Sequence, residues 1–196
     1  MANWRVPLGE WAGSPAHILG GGASLAGFDG AVLRGQRVIG INEAGLTLVP
    51  WCDVLFWADT RWLEWNVDRL GLHVGPRKVC RQSPFVRTRS CSKETAKKVE
   101  RAVTQYRILH LPQERKAALS QDAGRVAGID SGGSAINLAY LLGANPIYLH
   151  GFDMKPGHFH DRHQIASRPE RYAEELIPSL RRMARSLEAR GVEVIN

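Results

Sequence analysis

The sequence lacks the features that mark secreted, membrane-spanning or disulfide-stapled proteins. No apolar run approaches the ~20 residues needed to cross a bilayer, and the N-terminus has no basic region followed by an apolar one, as a signal peptide would. The three cysteines, Cys52, Cys80 and Cys91, form no CxxC pair and cannot all pair with one another. We therefore expect a cytoplasmic protein with reduced thiols and no membrane contact.

Two nucleotide-binding fingerprints are also absent. The glycine triplet of "HILGGGASL", Gly20, Gly21 and Gly22, fits neither G-x-G-x-x-G nor G-x-x-x-x-G-K-[ST]. It nevertheless follows a short apolar run and precedes Ser24, which predicts a strand, a turn and the start of a helix. Glycine lets the backbone approach a ligand closely, and a helix start directs free N–H groups at an anion. The pattern is typical of a phosphate site and equally of an ordinary strand-to-helix turn.

The amino-acid composition is typical of a globular protein, and the charge is unevenly distributed along the chain. The 196 residues are 44% hydrophobic, which predicts one domain over residues 1–196 with a sizeable core. The net charge is +7, yet residues 77–116 alone carry twelve lysines and arginines against three glutamates. Such a segment indicates an anionic acceptor or nucleic acid as a partner, or else a solvated helix face with basic loops.

Short apolar runs alternate with helical stretches along most of the chain. We predict strands at residues 16–20, 37–41, 53–58, 77–81, 106–111, 146–150 and 192–195. We predict helices at residues 24–34, 60–70, 92–105, 131–142 and 169–190. This alternation predicts an α/β fold with a three-layer, doubly wound, mostly parallel sheet of about seven strands. Residues 81–128 form an irregular, basic central segment, for which a mobile flap is one interpretation.

Polar and small residues follow the predicted strands where each strand ends. Besides the glycine triplet with Ser24, they are Asn42, Asp59, Asp153 and the helix start formed by Ser131, Gly132 and Gly133. Asn42, Asp59 and Ser131 would each also serve as an ordinary helix cap. Because ligands bind beyond the carboxyl ends of parallel strands, the whole set predicts a nucleotide site, with phosphate beside the glycine turn and beside Ser131 to Gly133.

At these residues the sequence resembles a Rossmann-like superfamily. The matching blocks are "GGGASL", "IGINEA", "LFWADTRW" and "SGGSAINLAYLLGANPIYLHGFDM". The superfamily contains bacterial sialyltransferases that use CMP-sialic acid, and 6-hydroxymethylpterin diphosphokinase MptE-like proteins, which include phage proteins. The basic centre of the chain lies outside the matching blocks, so the resemblance does not imply a particular acceptor.

The resemblance implies a role for each matched residue around a nucleotide donor. These are Gly20, Gly22 and Ser24 at the phosphates, Asn42 and Asp59 at the nucleotide or the transferred group, Ser131 and Gly132 through their backbone, and Asp153 at the floor of the site. Helix N-termini would meet the charge of the leaving phosphate, helped by an arginine from the basic centre.

A loop rich in histidine, "GFDMKPGHFHDRHQ", follows the sixth predicted strand and opens on the ligand side of the sheet. The histidines could bind zinc, although their spacing is not a typical ligand pattern, they could act in acid–base catalysis, or they could belong to a polar surface loop. The sialyltransferases of this resemblance carry their base histidine in a comparable loop. We therefore predict His163 as the general base, His160 as the alternate and no bound metal.

Three functions follow from these features. The first is a transferase that uses a nucleotide sugar to modify an acceptor hydroxyl, in the manner of a sialyltransferase. The second is an MptE-like diphosphokinase in which Asp59 and Asp153 hold Mg²⁺ beside a nucleoside triphosphate. The third is a phage or nucleic-acid-associated protein that binds or modifies DNA through residues 77–116.

Overall fold

The computed structural model describes residues 3–162 and 168–196, and it confirms the predicted α/β fold class. Its centre is a parallel sheet of seven strands in the order β5-β4-β3-β2-β1-β6-β7. The strands are β1 Ala16–Leu19, β2 Arg37–Ile41, β3 Val54–Trp57, β4 Arg77–Cys80, β5 Leu109–His110, β6 Ile147–His150 and β7 Val194–Ile195. All seven lie inside the ranges predicted from the sequence.

Helices cover both faces of this sheet. The α-helices are α1 Ala44–Thr47, α2 Thr60–Asn66, α3 Lys93–Gln105, α4 Ser131–Leu141, α5 Pro169–Arg171 and α6 Ile177–Glu188. A π-helical turn at Tyr172–Leu176 joins α5 to α6, and 3-10 helices occupy Ala23–Leu25, Gly30–Leu33 and Val67–Leu72. Within the described ranges, no helix is both long and apolar enough to cross a bilayer.

Successive residues of a strand pack on opposite sides of the sheet, which explains the continuous apolar runs in the sequence. Ile18 of β1 belongs to the cluster that includes residues of α4 and α6. Its neighbour Leu19 belongs to the cluster on the other face. A strand covered on both faces needs an apolar side chain at every position, not at every second one.

The predicted helix at residues 24–34 is wrong. Two short 3-10 helices, Ala23–Leu25 and Gly30–Leu33, take its place, and between them Gly27 has a φ of +76°. Asp29 then caps the second one by accepting a hydrogen bond of 2.9 Å from the N–H of Ala31. The glycine triplet is therefore followed by three residues of 3-10 helix, too short to develop the dipole that the sequence interpretation required.

Two of the cationic side chains of residues 77–116 are used within the fold. Lys78 is buried and donates a hydrogen bond of 2.8 Å to the carbonyl of His73, and burial lowers its pKa. Arg77 pairs with Glu10 at 2.8 Å. Part of the basic excess is thus used within the fold, so fewer cations are left for a nucleic acid than the sequence count suggests.

The three cysteines are free thiols. Cys52 and Cys80 are fully buried, and burial raises the pKa of each thiol to about 12. Both are therefore protonated and packed at neutral pH, as structural cysteines are.

Candidate functional site

A cleft of about 750 Å³ opens at the carboxyl edge of the sheet. The strand order reverses between β1 and β6, and ligands of doubly wound sheets bind at such a reversal. The cleft is lined by nine of the residues singled out in the sequence: Gly20, Gly21, Gly22, Asn42, Asp59, Ser131, Gly132, Asp153 and His160. Of the other predicted site residues, Ser24 and Gly133 do not line it, and His163 lies outside the described residues.

At two glycines of the triplet, Gly20 and Gly22, a side chain would collide with the protein's own backbone. The N–H of Gly20 donates to the carbonyl of His150 at 2.8 Å, and that of Gly22 donates to Gly151 at 2.9 Å. A Cβ atom would stand 2.8 Å from the Gly151 carbonyl oxygen at position 20 and 2.6 Å from it at position 22. At Gly21 the nearest atom would be Nδ1 of His158, at 3.3 Å. The turn after β1 is therefore held against the turn after β6.

A carboxylate of the protein occupies both hydrogen-bond donors of Ser24, beside the glycine turn. Asp153 accepts a bond of 2.9 Å from the N–H of Ser24 and a second, short bond from the Ser24 hydroxyl. Partial burial opposes ionisation of Asp153, but these two bonds outweigh it and leave its pKa below the usual value. A phosphate at this turn would have to displace Asp153.

Asn42 presents a hydrogen-bond acceptor that no group in the described part of the chain satisfies. It follows β2 in the left-handed region, with a φ of 52°, which asparagine tolerates better than most residues. Its N–H donates to Phe56 at 3.0 Å, so the backbone is held in place. Its Oδ1 atom is buried and accepts no hydrogen bond in residues 3–162 and 168–196. A buried, unsatisfied acceptor in a cleft indicates a donor supplied by a ligand.

Asp59 is a helix cap as well as a cleft residue. It accepts a hydrogen bond of 2.8 Å from the N–H of Arg61 at the start of α2, and its other oxygen pairs with the Arg61 guanidinium at 2.7 Å. Burial raises the pKa of Asp59, but the bonds from Arg61 lower it further, so the group is held ionised. The capping interpretation of Asp59 is confirmed.

The sequence interpretation allowed Ser131 as the cap of α4. The structure shows that the cap is Asp130. Asp130 accepts a bond of 2.9 Å from the N–H of Gly133 and has an extended backbone, so Ser131 is the first residue inside the helix. A Cβ atom at Gly132 would lie 2.8 Å from the ring of Phe152. The small residues here let α4 begin directly against the turn that follows β6.

His160 lies in the cleft with one ring nitrogen already used. Its Nδ1 atom accepts a hydrogen bond of 3.1 Å from the N–H of Arg162, and its ring packs edge-on against Phe159 at 4.8 Å. A neutral ring in this position carries its proton on Nε2, so that nitrogen donates and does not accept. In the described ranges, no three His, Cys, Asp or Glu side chains are grouped so as to hold a metal ion.

The sequence analysis missed two charged features of the cleft. Glu43 is 3% exposed and forms an ion pair of 2.6 Å with Arg69. Arg81 is the first residue after β4 and lines the cleft. The strand-end rule that found Asn42 would have found Arg81, had it been applied to the fourth predicted strand as well.

Fold and cleft together define a Rossmann-like α/β protein with a cleft at the β1–β6 reversal. No protein-family model matches the sequence, and no curated protein is significantly similar to it in sequence. Among solved structures, the sialyltransferase CstII from Campylobacter jejuni with cytidine-5'-monophosphate is similar, with a TM-score of 0.54 and 15% identity over 93% of this chain and 79% of that one. The sialyltransferase CST-II with a trisaccharide acceptor and CMP has a TM-score of 0.52 and 14% identity over 92% and 79%.

A third structure, the Maf glycosyltransferase from Magnetospirillum magneticum AMB-1, shares 16% identity over 84% of this chain with a TM-score of 0.49. The chain spans 27% of that protein's length. At these identities the likeness to the two sialyltransferase structures establishes the shared fold. The pterin diphosphokinase half of the resemblance has no counterpart among these three structures.

Proposed function

We propose that this protein is a single-domain, cytoplasmic transferase that binds a nucleotide sugar in the cleft and transfers the sugar to an acceptor hydroxyl. The observation that carries the proposal is Asn42, which lines the cleft and whose buried Oδ1 atom accepts no hydrogen bond from the described residues. Two sialyltransferase structures of similar fold contain CMP, which makes CMP the first nucleotide to test.

A nucleotide sugar offers the hydrogen-bond donors that Asn42 requires. Ribose hydroxyls and the exocyclic amino group of cytosine can each donate to an amide oxygen. The hydrogen bond from the N–H of Asn42 to Phe56 holds the backbone that carries this side chain before the ligand arrives. A preorganised acceptor loses little conformational entropy on binding, so more of the interaction contributes to affinity.

The acceptor hydroxyl needs a base, and we assign this role to His163. Nδ1 of His160 accepts the N–H of Arg162, which leaves a protonated Nε2 that can donate a hydrogen bond to a substrate but cannot take its proton. His163 comes two residues after Asp161 in the sequence. Of the two histidines predicted as the general base, it is the one that this argument leaves.

A nucleotide panel measured by thermal shift and calorimetry tests the donor site. We expect CMP to raise the melting temperature of the wild type, since a ligand that binds only the folded state stabilises it. Asn42→Ala leaves the ligand's donor unpaired, which costs about 1–3 kcal/mol or roughly 5- to 150-fold in CMP affinity. Asn3→Ala, an exposed asparagine outside the cleft lining, is the matched control. Equal affinity in wild type and Asn42→Ala would remove Asn42 from the site.

The diphosphokinase alternative requires Mg²⁺ on Asp59 and Asp153. Both carboxylates are already bound, Asp59 by the guanidinium of Arg61 at 2.7 Å and Asp153 by Ser24. The residues present therefore do not fit a magnesium site without breaking these contacts. We expect EDTA to leave CMP affinity within about twofold of its value with Mg²⁺, because a single broken hydrogen bond would already change it more. Loss of binding in EDTA, restored by Mg²⁺, would favour the diphosphokinase.

A further inference from the structure

Arg81, a cation that lines the cleft, forms no ion pair with the residues that the structure describes. Arg81 continues β4, and its N–H donates to Trp57 at 3.0 Å, so its backbone is fixed by the sheet. Its side chain reaches the segment before α4, where Nη1 donates to the carbonyl of Gly128 at 2.8 Å and to Oγ of Ser134 at 3.2 Å. The Asp130 carbonyl lies 3.3 Å from the same nitrogen. All these partners are neutral oxygens.

The charge of Arg81 is balanced without a direct ion pair. In the described part of the chain, Asp130 and Asp59 attract Arg81 electrostatically, but neither carboxylate pairs with its guanidinium. Those two carboxylates are committed, Asp59 to Arg61 and Asp130 to the N–H of Gly133. Burial lowers the pKa of Arg81, although a guanidinium stays charged at neutral pH.

Removing a charge from water without pairing it is costly, and an anionic ligand would offset that cost. Arg115 and Arg171 add positive charge near Arg81. This end of the cleft therefore favours an anion, whereas at the glycine turn Asp153 already holds the donors of Ser24. A phosphate bound at the turn would lie against that carboxylate; a phosphate at Arg81 would meet a cation.

We propose that Arg81 binds the phosphate of the donor nucleotide beside the start of α4, and that Asp153 keeps the phosphate away from the glycine turn. The inference rests on the proposed nucleotide site. During transfer the bond between the sugar carbon and the phosphate oxygen breaks, and the acceptor oxygen bonds to that carbon. The acceptor proton goes to the base, while the electron pair leaves with the phosphate oxygen, whose new charge Arg81 neutralises.

The test compares CMP with cytidine, which lacks the phosphate. We expect Arg81→Gln to weaken CMP binding by about 10- to 100-fold, as the loss of a charged hydrogen-bond partner does, with cytidine affinity unchanged. Arg125→Gln, an exposed arginine paired with Asp122, is the control and should bind both ligands as the wild type does. Equal losses for CMP and cytidine would mean that Arg81 only braces the loop before α4, and would overturn the proposal.

Inorganic pyrophosphate separates this inference from the proposed function. If the wild type binds neither CMP nor cytidine, the nucleotide proposal fails, yet pyrophosphate should still raise the melting temperature of the wild type and not that of Arg81→Gln. No shift in the wild type, or the same shift in both proteins, overturns the anion site. Should Arg81→Gln not fold, Arg81→Lys keeps the charge without the planar fork, and any loss of affinity in it should be larger for CMP than for cytidine; an equal loss for both ligands would overturn the proposal.

A variant at Ser24 tests whether the phosphate binds at the glycine turn instead of at Arg81. Ser24→Ala removes the hydroxyl that donates to Asp153. A loss of CMP affinity in this variant as large as that in Arg81→Gln would place the phosphate at the glycine turn and overturn the proposal.

Discussion

Replacing His163 by alanine should lower kcat for sugar transfer by about 10²–10⁴-fold, the usual contribution of a general base. Donor affinity should stay within a few-fold, because the proton is removed in the transition state and not when the donor binds. A histidine with its ordinary pKa of ~6.5 suits this task near neutral pH. His163 lies outside the described residues, so the prediction rests on its position in the sequence after β6.

His160→Ala is the matched comparison. His160 lies in the same loop, and the hydrogen bond from Arg162 to its Nδ1 atom makes it a donor. We expect its loss to reduce kcat less than the loss of His163, measured with the same donor and acceptor. The reverse order would show that His160 is the base. Stoichiometric zinc in the purified protein, lost with either histidine, would contradict the acid–base assignment of both.

Gly22→Ala should destabilise the protein by about 1–3 kcal/mol or more, the usual cost of overpacking a tight contact. The backbone at Gly22 has a φ of −66° and a ψ of 155°, which any residue adopts, so the cost comes from contact alone. A Cβ atom would lie 2.6 Å from both the Gly151 carbonyl oxygen and the Asp153 carboxylate. Denaturant unfolding measures the loss, and in a chain of this size each kcal/mol lowers the melting temperature by about 2–4 °C.

Gly21→Ala provides the control for that steric argument. Its Cβ atom would approach only the end of the His158 side chain, at 3.3 Å, so its stability should fall less than that of Gly22→Ala. The larger Gly21→Val should abolish nucleotide binding and still leave a folded protein if the phosphate lies at the glycine turn, whereas a phosphate at Arg81 predicts that binding is only weakened, since Gly21 still lines the cleft. Equal loss of stability in Gly21→Ala and Gly22→Ala would contradict the conclusion that Gly22 is held tightly against the turn after β6.

The seven strands were predictable because each is a local feature. β3, for example, is "VLFW", a continuous apolar run that lies between Asp53 and Asp59 with only Ala58 added, and it needs no knowledge of its neighbours to be found. The predicted helix at 24–34 failed because composition alone does not distinguish a helix from two 3-10 turns around Gly27. Gly27 adopts its positive φ without strain, and that breaks a helix at this point.

Asn42 and Asp59 could be placed in one site from the sequence for the same local reason. Each follows a strand, and parallel strands bring their carboxyl ends to one edge whatever their order. The cleft, with both residues in its lining, lies at that edge.

The partners of the charged groups could not be predicted, because they come from distant parts of the chain. Ser24 and Asp153 are 129 residues apart, and Arg81 and Gly128 are 47 apart. Which donor meets which acceptor depends on how the turn after β1 packs on the turn after β6 and how α4 packs on the sheet. Strand positions follow from the local apolar pattern. The contact of Asp153 with Ser24 and the environment of Arg81 depend instead on long-range packing, because each joins segments that are far apart in the sequence.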